Sequence, residues 1–116
     1  MTVSQAIERS SVLYPSDLEG DKVYSWLSEL ESRICAELYG TESEPITADD
    51  GDRVLSAPDA YAELYPLYIV MKTDLAGGDI DRYNNSALSF KNAYSAFANY
   101  YNRTHLGSRY NSIKLI

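Results

Sequence analysis

The chain has 116 residues, 45% of them hydrophobic and 23% charged, with a formal net charge of −7. That length gives one domain a core of its own without disulfide or metal staples. The acidic balance argues against wrapping duplex DNA, whose phosphates are gripped by Lys and Arg.

The charge is unevenly spread. Residues 1–60 hold thirteen acids against four bases, whereas residues 61–116 hold four against six. An acidic half is compatible with standing beside DNA, because a negative wall repels the backbone and keeps it from sticking. Cys35 is the single cysteine, so no internal disulfide forms, and it reads as a small apolar residue of a reduced, intracellular protein. The opening MTVSQAIERSS lacks the basic and apolar blocks of a signal peptide, and no apolar run reaches bilayer length. A soluble chain with no membrane partner is expected.

In chain order, Thr2 caps a short first helix with Gln5 three residues on, the pattern of a capping box. Val3, Ile7 and Leu13 or Tyr14 give it an apolar side. Tyr14-Pro15 ends it, since the residue before Pro is pushed out of the helical region, and residues 16–20 turn. A second helix covers residues 21–39. Val23, Leu27, Leu30, Ile34 and Leu38 recur at helical spacing, flanked by Trp26 and Cys35. Asp21 favours its positive start and Gly40 stops it. Glu29, Glu31 and Glu37 fall off the stripe.

Residues 41–57, TESEPITADDGDRVLSA, form a long acidic connection, of a length that is commonly functional or mobile. Its DDGD piece invites a calcium reading. With Gly51 at the sixth place of an EF-hand loop, Ile46 and Ala57 would fall at the first and twelfth, and neither offers a side-chain carboxylate. No metal site is expected. Residues 52–56 suit a short extended piece.

Pro58 and Asp59 open a third helix along Tyr61, Leu64, Tyr68, Met71 and Leu75, widened by Tyr65 and Ile69. Pro66 either kinks this helix or marks its true start. Gly77-Gly78 turns the chain and Asp79 caps a fourth helix, Ile80 to Thr104. Its large or apolar residues are Ile80, Tyr83, Ala87, Phe90, Tyr94, Phe97 and Tyr101, one face of a long helix packed on a partner. So short a turn sets helices three and four antiparallel, with Leu75 and Met71 meeting Ile80, Tyr83 and Ala87. The opposite face is short and polar rather than highly charged (Asn84, Asn85, Ser89, Lys91, Asn92, Ser95, Asn99 and Asn102), suited to water or to another protein. The fold expected is all-α, a bundle of about four helices centred on this antiparallel hairpin.

The division expected is a helical domain over residues 1–106 and an extended C-terminal arm over residues 107–116. Arg109, Tyr110, Ile113, Lys114, Leu115 and Ile116 make the arm apolar and basic, so it either docks on a partner or folds back over its own bundle. No constellation is catalytic. His105 sits at a helix end, where a lone histidine acts as a cap, and Cys35 has no histidine linked to it by motif. The glutamates lack metal-ligand spacing, there is no phosphate-binding glycine loop, and no cofactor is expected.

One resemblance adds to this reading. Tyr83-Asn84-Asn85-Ser86, Phe90, Tyr94, Phe97 and Tyr100-Tyr101-Asn102-Arg103-Thr104-His105 resemble the small head–tail connector (adaptor, or head-completion) proteins of tailed bacteriophages. Glu63-Leu64-Tyr65-Pro66-Leu67-Tyr68 with Lys72-Thr73-Asp74-Leu75 is similar to their preceding helix, and Trp26-Leu27, Glu29-Leu30-Glu31 and Arg33-Ile34 to their second. The resemblance covers residues 2–105 and stops before the arm. It implies an all-α structural protein of the virion neck, made in the host cytoplasm. Such a protein forms a homo-oligomeric ring under the portal and carries a stopper or tail-completion protein. DNA passes without sequence-specific contact, and Glu42, Glu44, Asp49, Asp50 and Asp52 are candidates to line its path. A small acidic prophage regulator that occupies a nucleic-acid site on a basic partner is the alternative.

Overall fold

A computed structural model of the chain describes residues 1–13 and 20–105. Among them run α1 (Val3–Leu13), α2 (Gly20–Ile34), α3 (Leu64–Gly77) and α4 (Ile80–Thr104), with no β-strand. The fold is the expected all-α bundle, with α3 and α4 as its antiparallel hairpin. Both α1 and α2 pack on α3, which packs along α4. The Tyr14-Pro15 break lies outside the described residues, as does the arm from residue 107 onward.

Local chemistry accounts for each boundary. The Thr2 N–H donates to Gln5 Oε1 (2.9 Å) and the Gln5 N–H to Thr2 Oγ1 (3.2 Å), which closes the capping box of α1. Past Ile34, α2 widens into one π-helical turn, Cys35–Tyr39, before Gly40 ends it. Pro58 opens only a separate 3-10 turn, Asp59–Tyr61. The third helix starts later than expected, at Leu64, so Pro66 sits in its first turn, where a missing N–H goes unnoticed. It is a start, not a kink. Gly78 takes φ +74°, a left-handed conformation that costs glycine little, and the Asp79 carboxylate accepts the Arg82 N–H at 3.0 Å.

The core is drawn from every helix. Leu27, Leu30 and Ile34 of α2 meet Leu64, Tyr65 and Ile69 of α3, with Val3 and Ala6 from α1 and Phe90, Tyr94 and Phe97 from α4. The stripe of α4 is therefore core only over its C-terminal half. Leu75 is 52% exposed, Ile80 73% and Leu88 58%, so the turn end of the hairpin, where Leu75 was expected to meet Ile80, does not bury these side chains. Thr73, Asp74 and Ser86 are buried between the helices there instead, and Ser86 Oγ donates to Asp74 Oδ2 at 2.7 Å. Apolar spacing marks which side of a helix is greasy; it does not say how far a neighbour extends along it.

The long connection is tied down along its length. Ser28 holds Ile46 by its backbone, with the Ile46 N–H donating at 2.7 Å and the Ser28 hydroxyl returning to the Ile46 carbonyl at 3.3 Å. Thr47 and Asp50 form a second capping box around the 3-10 turn Ala48–Asp50. The extended piece pairs antiparallel with the chain start. Val3 N–H donates to the Arg53 carbonyl (3.0 Å), Ser4 N–H to the Gly51 carbonyl (3.0 Å) and Leu55 N–H to the Met1 carbonyl (2.9 Å). The glycine of DDGD belongs to this seam, since a Cβ on Gly51 would come 2.7 Å from Ser4 Oγ.

A buried carboxyl closes the connection. Glu31, 3% exposed, accepts hydrogen bonds from the Ser56 N–H (3.1 Å), the Ser56 hydroxyl (3.0 Å) and the Tyr65 hydroxyl. Tyr65 in turn accepts the Ala57 N–H at 2.9 Å. Burial first, and then the charge of Glu31, push the Tyr65 hydroxyl well above its ordinary range, so it remains a donor. Sequence placed Glu31 off the stripe; its donors lie 25 and 34 residues away, beyond what periodicity reads.

Two expectations follow. Phe97→Ala, at a fully buried ring, should cost about 3–5 kcal/mol by urea unfolding, while Ile80→Ala should change stability by less than about 0.5 kcal/mol. Glu31→Ala strands three donors and should cost about 3 kcal/mol or more, against about 1–2 kcal/mol for Tyr65→Phe. Equal losses for the latter pair would mean that Glu31 is not the hub.

Candidate functional site

A groove of about 410 Å³ lies where three helices meet. It is lined by Met71 of α3, Tyr83, Phe90 and Tyr94 of α4, and two cations, Arg33 of α2 and Lys91 of α4. Phe90 and Tyr94 are held by the core beneath, Phe90 tilted against Tyr68 at 4.9 Å and against Tyr94 at 5.8 Å between centroids. Arg33 lies over the Tyr94 ring, 4.6 Å from its centre, which orients the guanidinium while keeping it half exposed.

Glu37 completes this corner. Its carboxylate accepts the Tyr94 hydroxyl at 2.5 Å and Arg33 Nε at 3.2 Å. The Tyr94 hydrogen bond, reinforced by Arg33 and opposed by partial burial, holds the Glu37 carboxyl below its ordinary value. Burial, then the hydrogen bond and charge of Glu37, push the Tyr94 hydroxyl up to about 12. Arg33 gives its Nε–H to Glu37 and lines the groove as well. Aromatic faces beside two cations suit a ligand that is both aliphatic and anionic.

A second feature is the aromatic end of the bundle. Tyr61 stacks on Tyr100 (4.7 Å), Tyr39 leans on Tyr101 (5.1 Å), and His105 stacks on Tyr101 at 3.9 Å. All four tyrosines are half-buried, as suits a residue with an apolar ring and a hydroxyl needing a partner. His105 acts as a cap, its backbone N–H donating to the Tyr101 carbonyl at 3.0 Å.

The acidic candidates are displayed unequally. Glu42, Glu44, Asp49 and Asp52 are exposed, and no ion pair engages them among the described residues. Asp50 differs: its carboxylate turns inward to accept the Thr47 N–H (2.8 Å) and hydroxyl (3.2 Å). Among the described residues no group of three or more His, Cys, Asp or Glu side chains is placed to hold a metal. Cys35 is buried. The arm residues Arg109, Tyr110, Ile113, Lys114, Leu115 and Ile116 lie outside the described residues.

Sequence reading missed the groove, because Arg33 and Lys91 come from helices far apart in the chain. The available signal was Lys91 standing amid the otherwise uncharged polar face of α4. Compared with known proteins, the chain matches no family model, no curated protein and no solved structure.

The Glu37 corner sets a pH dependence. With its folded pKa below an ordinary value near 4.5, Glu37 stabilises the fold fully above that value, and the contribution is lost as pH falls through the folded pKa. The group is half exposed, so Glu37→Gln should cost no more than about 1 kcal/mol at pH 7. The gap between variant and parent should narrow from pH 7 to acid pH, as the carboxylate protonates. A gap of constant size across urea titrations at both pH values would assign the effect to packing instead.

Proposed function

We propose that this protein is a structural component of a phage virion, a ring-forming head–tail adaptor in the neck between capsid and tail. In this role it docks on the portal and presents a surface to a stopper or tail-completion protein. It is a scaffold and not a catalyst. The observation that carries the reading is the end of the α3–α4 hairpin, where Leu75, Ile80 and Leu88 stand exposed on a rigid helical pair. Aliphatic surface of this kind gains nothing in water and is stabilised when a partner covers it. The tyrosine-rich end of the bundle adds the residue type most enriched at protein interfaces. The acidic connection is fixed to α1 and α2, so its charge has a defined place, and its exposed carboxylates stand along the DNA path and keep the duplex mobile.

The regulator alternative rests on those same carboxylates: Glu42, Glu44, Asp49 and Asp52 present free negative charge on an ordered frame, as an occupant of a nucleic-acid site would. The two readings part in solution. An adaptor forms a high-order ring with the portal encoded beside it, visible by light scattering and electron microscopy. A regulator stays monomeric or dimeric and binds a basic partner with an affinity that falls steeply as salt rises.

In the adaptor reading residues 107–116 dock on a neighbouring component. Deleting them should leave the melting temperature of the isolated subunit unchanged and abolish assembly onto capsids. A loss of several degrees with assembly intact would place the segment in the subunit's own core.

A further inference from the structure

The groove and the acidic connection lie on opposite flanks of one helix. Ser28, which holds Ile46, and Arg33, which lines the groove, are five residues apart on α2, about 140° around a helix that turns about 100° per residue. The Ser28 bonds hold the Ile46 end of the connection on the flank turned away from its own groove; a second copy carries no such restraint.

We propose that the Arg33–Lys91 groove receives the Glu42–Pro45 limb of a second copy of this chain, in a head-to-tail contact. Charge complementarity selects this occupant. Lys91 lines the groove without an ion pair among the described residues, beside Arg33, whose charge Glu37 partly offsets, and Glu42 and Glu44 are likewise exposed without an ion pair among the described residues. The apolar part matches too, since Pro45 is exposed beside those glutamates and the groove is lined by Met71 and Phe90 as well as by its cations. The limb is preorganised. Thr41 N–H is bonded to the Cys35 carbonyl (3.0 Å), and Arg53 reaches the Glu44 carbonyl (3.0 Å) and the Ser43 hydroxyl (3.3 Å), so little freedom remains to be lost on binding. Because the two patches differ, the contact is heterologous, and repeating it yields a ring when the rotation closes. Asp49 and Asp52 remain outside the contact and available to the channel. The proposal rests on the adaptor reading only in supposing that copies associate.

Sedimentation velocity over a concentration series up to about 1 mM at low salt tests it, since screening at about 1 M salt shortens electrostatic reach to about 3 Å. The parent should associate at low salt and dissociate at high salt. Lys91→Glu and Glu44→Lys, each alone, should weaken association about tenfold or more. An equimolar mixture of the two variants should restore it, because each supplies the charge the other lacks. Asp52→Lys makes the same change of net charge away from the limb and should leave association near the parent's. Association that survives both single reversals, that Asp52→Lys weakens as much as Glu44→Lys does, or that the parent never shows, overturns the contact. Rings that form regardless of these charges sustain the adaptor reading and sink this interface. Charge-dependent association that stops at two copies sustains the interface and removes the ring.

Discussion

The bundle depends on carboxylates of one helix gripping tyrosines of two others. Glu29, Glu31 and Glu37 of the second helix and its π turn accept the hydroxyls of Tyr68, Tyr65 and Tyr94, from α3, α3 and α4. The three differ in burial, and their importance follows. Glu31 sits in the core, where a carboxyl without its donors is costly, so it fixes Tyr65, Ser56 and the end of the connection together. Glu37 works at the margin, where solvent weakens the pair and the gain is one of orientation. The π turn has a part in this. By widening the end of α2 it carries Glu37 to Tyr94 and Tyr39 to Phe97 and Tyr101.

This arrangement gives the tyrosines of the stripes a physical reason. A leucine in place of Tyr94 or Tyr68 would fill the same space, yet it would leave the second helix unregistered against its neighbours. A hydroxyl at the edge of an apolar stripe converts nonspecific burial into a fixed rotation and a fixed height. Cation–π contacts repeat the theme, with Arg33 over Tyr94 and Lys72 over Tyr68, each cation also paired to a glutamate of the same α2 set.

How much of this was legible in the sequence follows from the range of each interaction. Helices, caps and the hairpin turn are set by residues within four positions of one another, and the spacing of Val23 to Leu38 and the Thr2–Gln5 box state them directly. Pro66 was readable only as an alternative, because the same residue serves a kink or a start, and the choice falls to the 3-10 turn before it. The partners of Glu31 and Tyr94, and the pairing of residues 51–55 with the chain start, span tens of residues and leave no local pattern. The groove is legible least of all, since it exists only where three helices meet.

The placement of charge then restricts how copies of such a chain can meet. A two-fold contact sets a patch against itself, so a symmetric pairing through the acidic flank would crowd the Glu42 and Glu44 carboxylates of both copies into one interface, whereas the groove corner holds Glu37 beside Arg33 and Lys91. A contact between unlike flanks avoids that crowding, and unlike flanks joined in sequence propagate in one rotational sense. In the proposed contact this placement of charge would favour head-to-tail association over closed pairs. Asp49 and Asp52, exposed outside that proposed contact, would then keep one sign of charge around the opening of such an assembly.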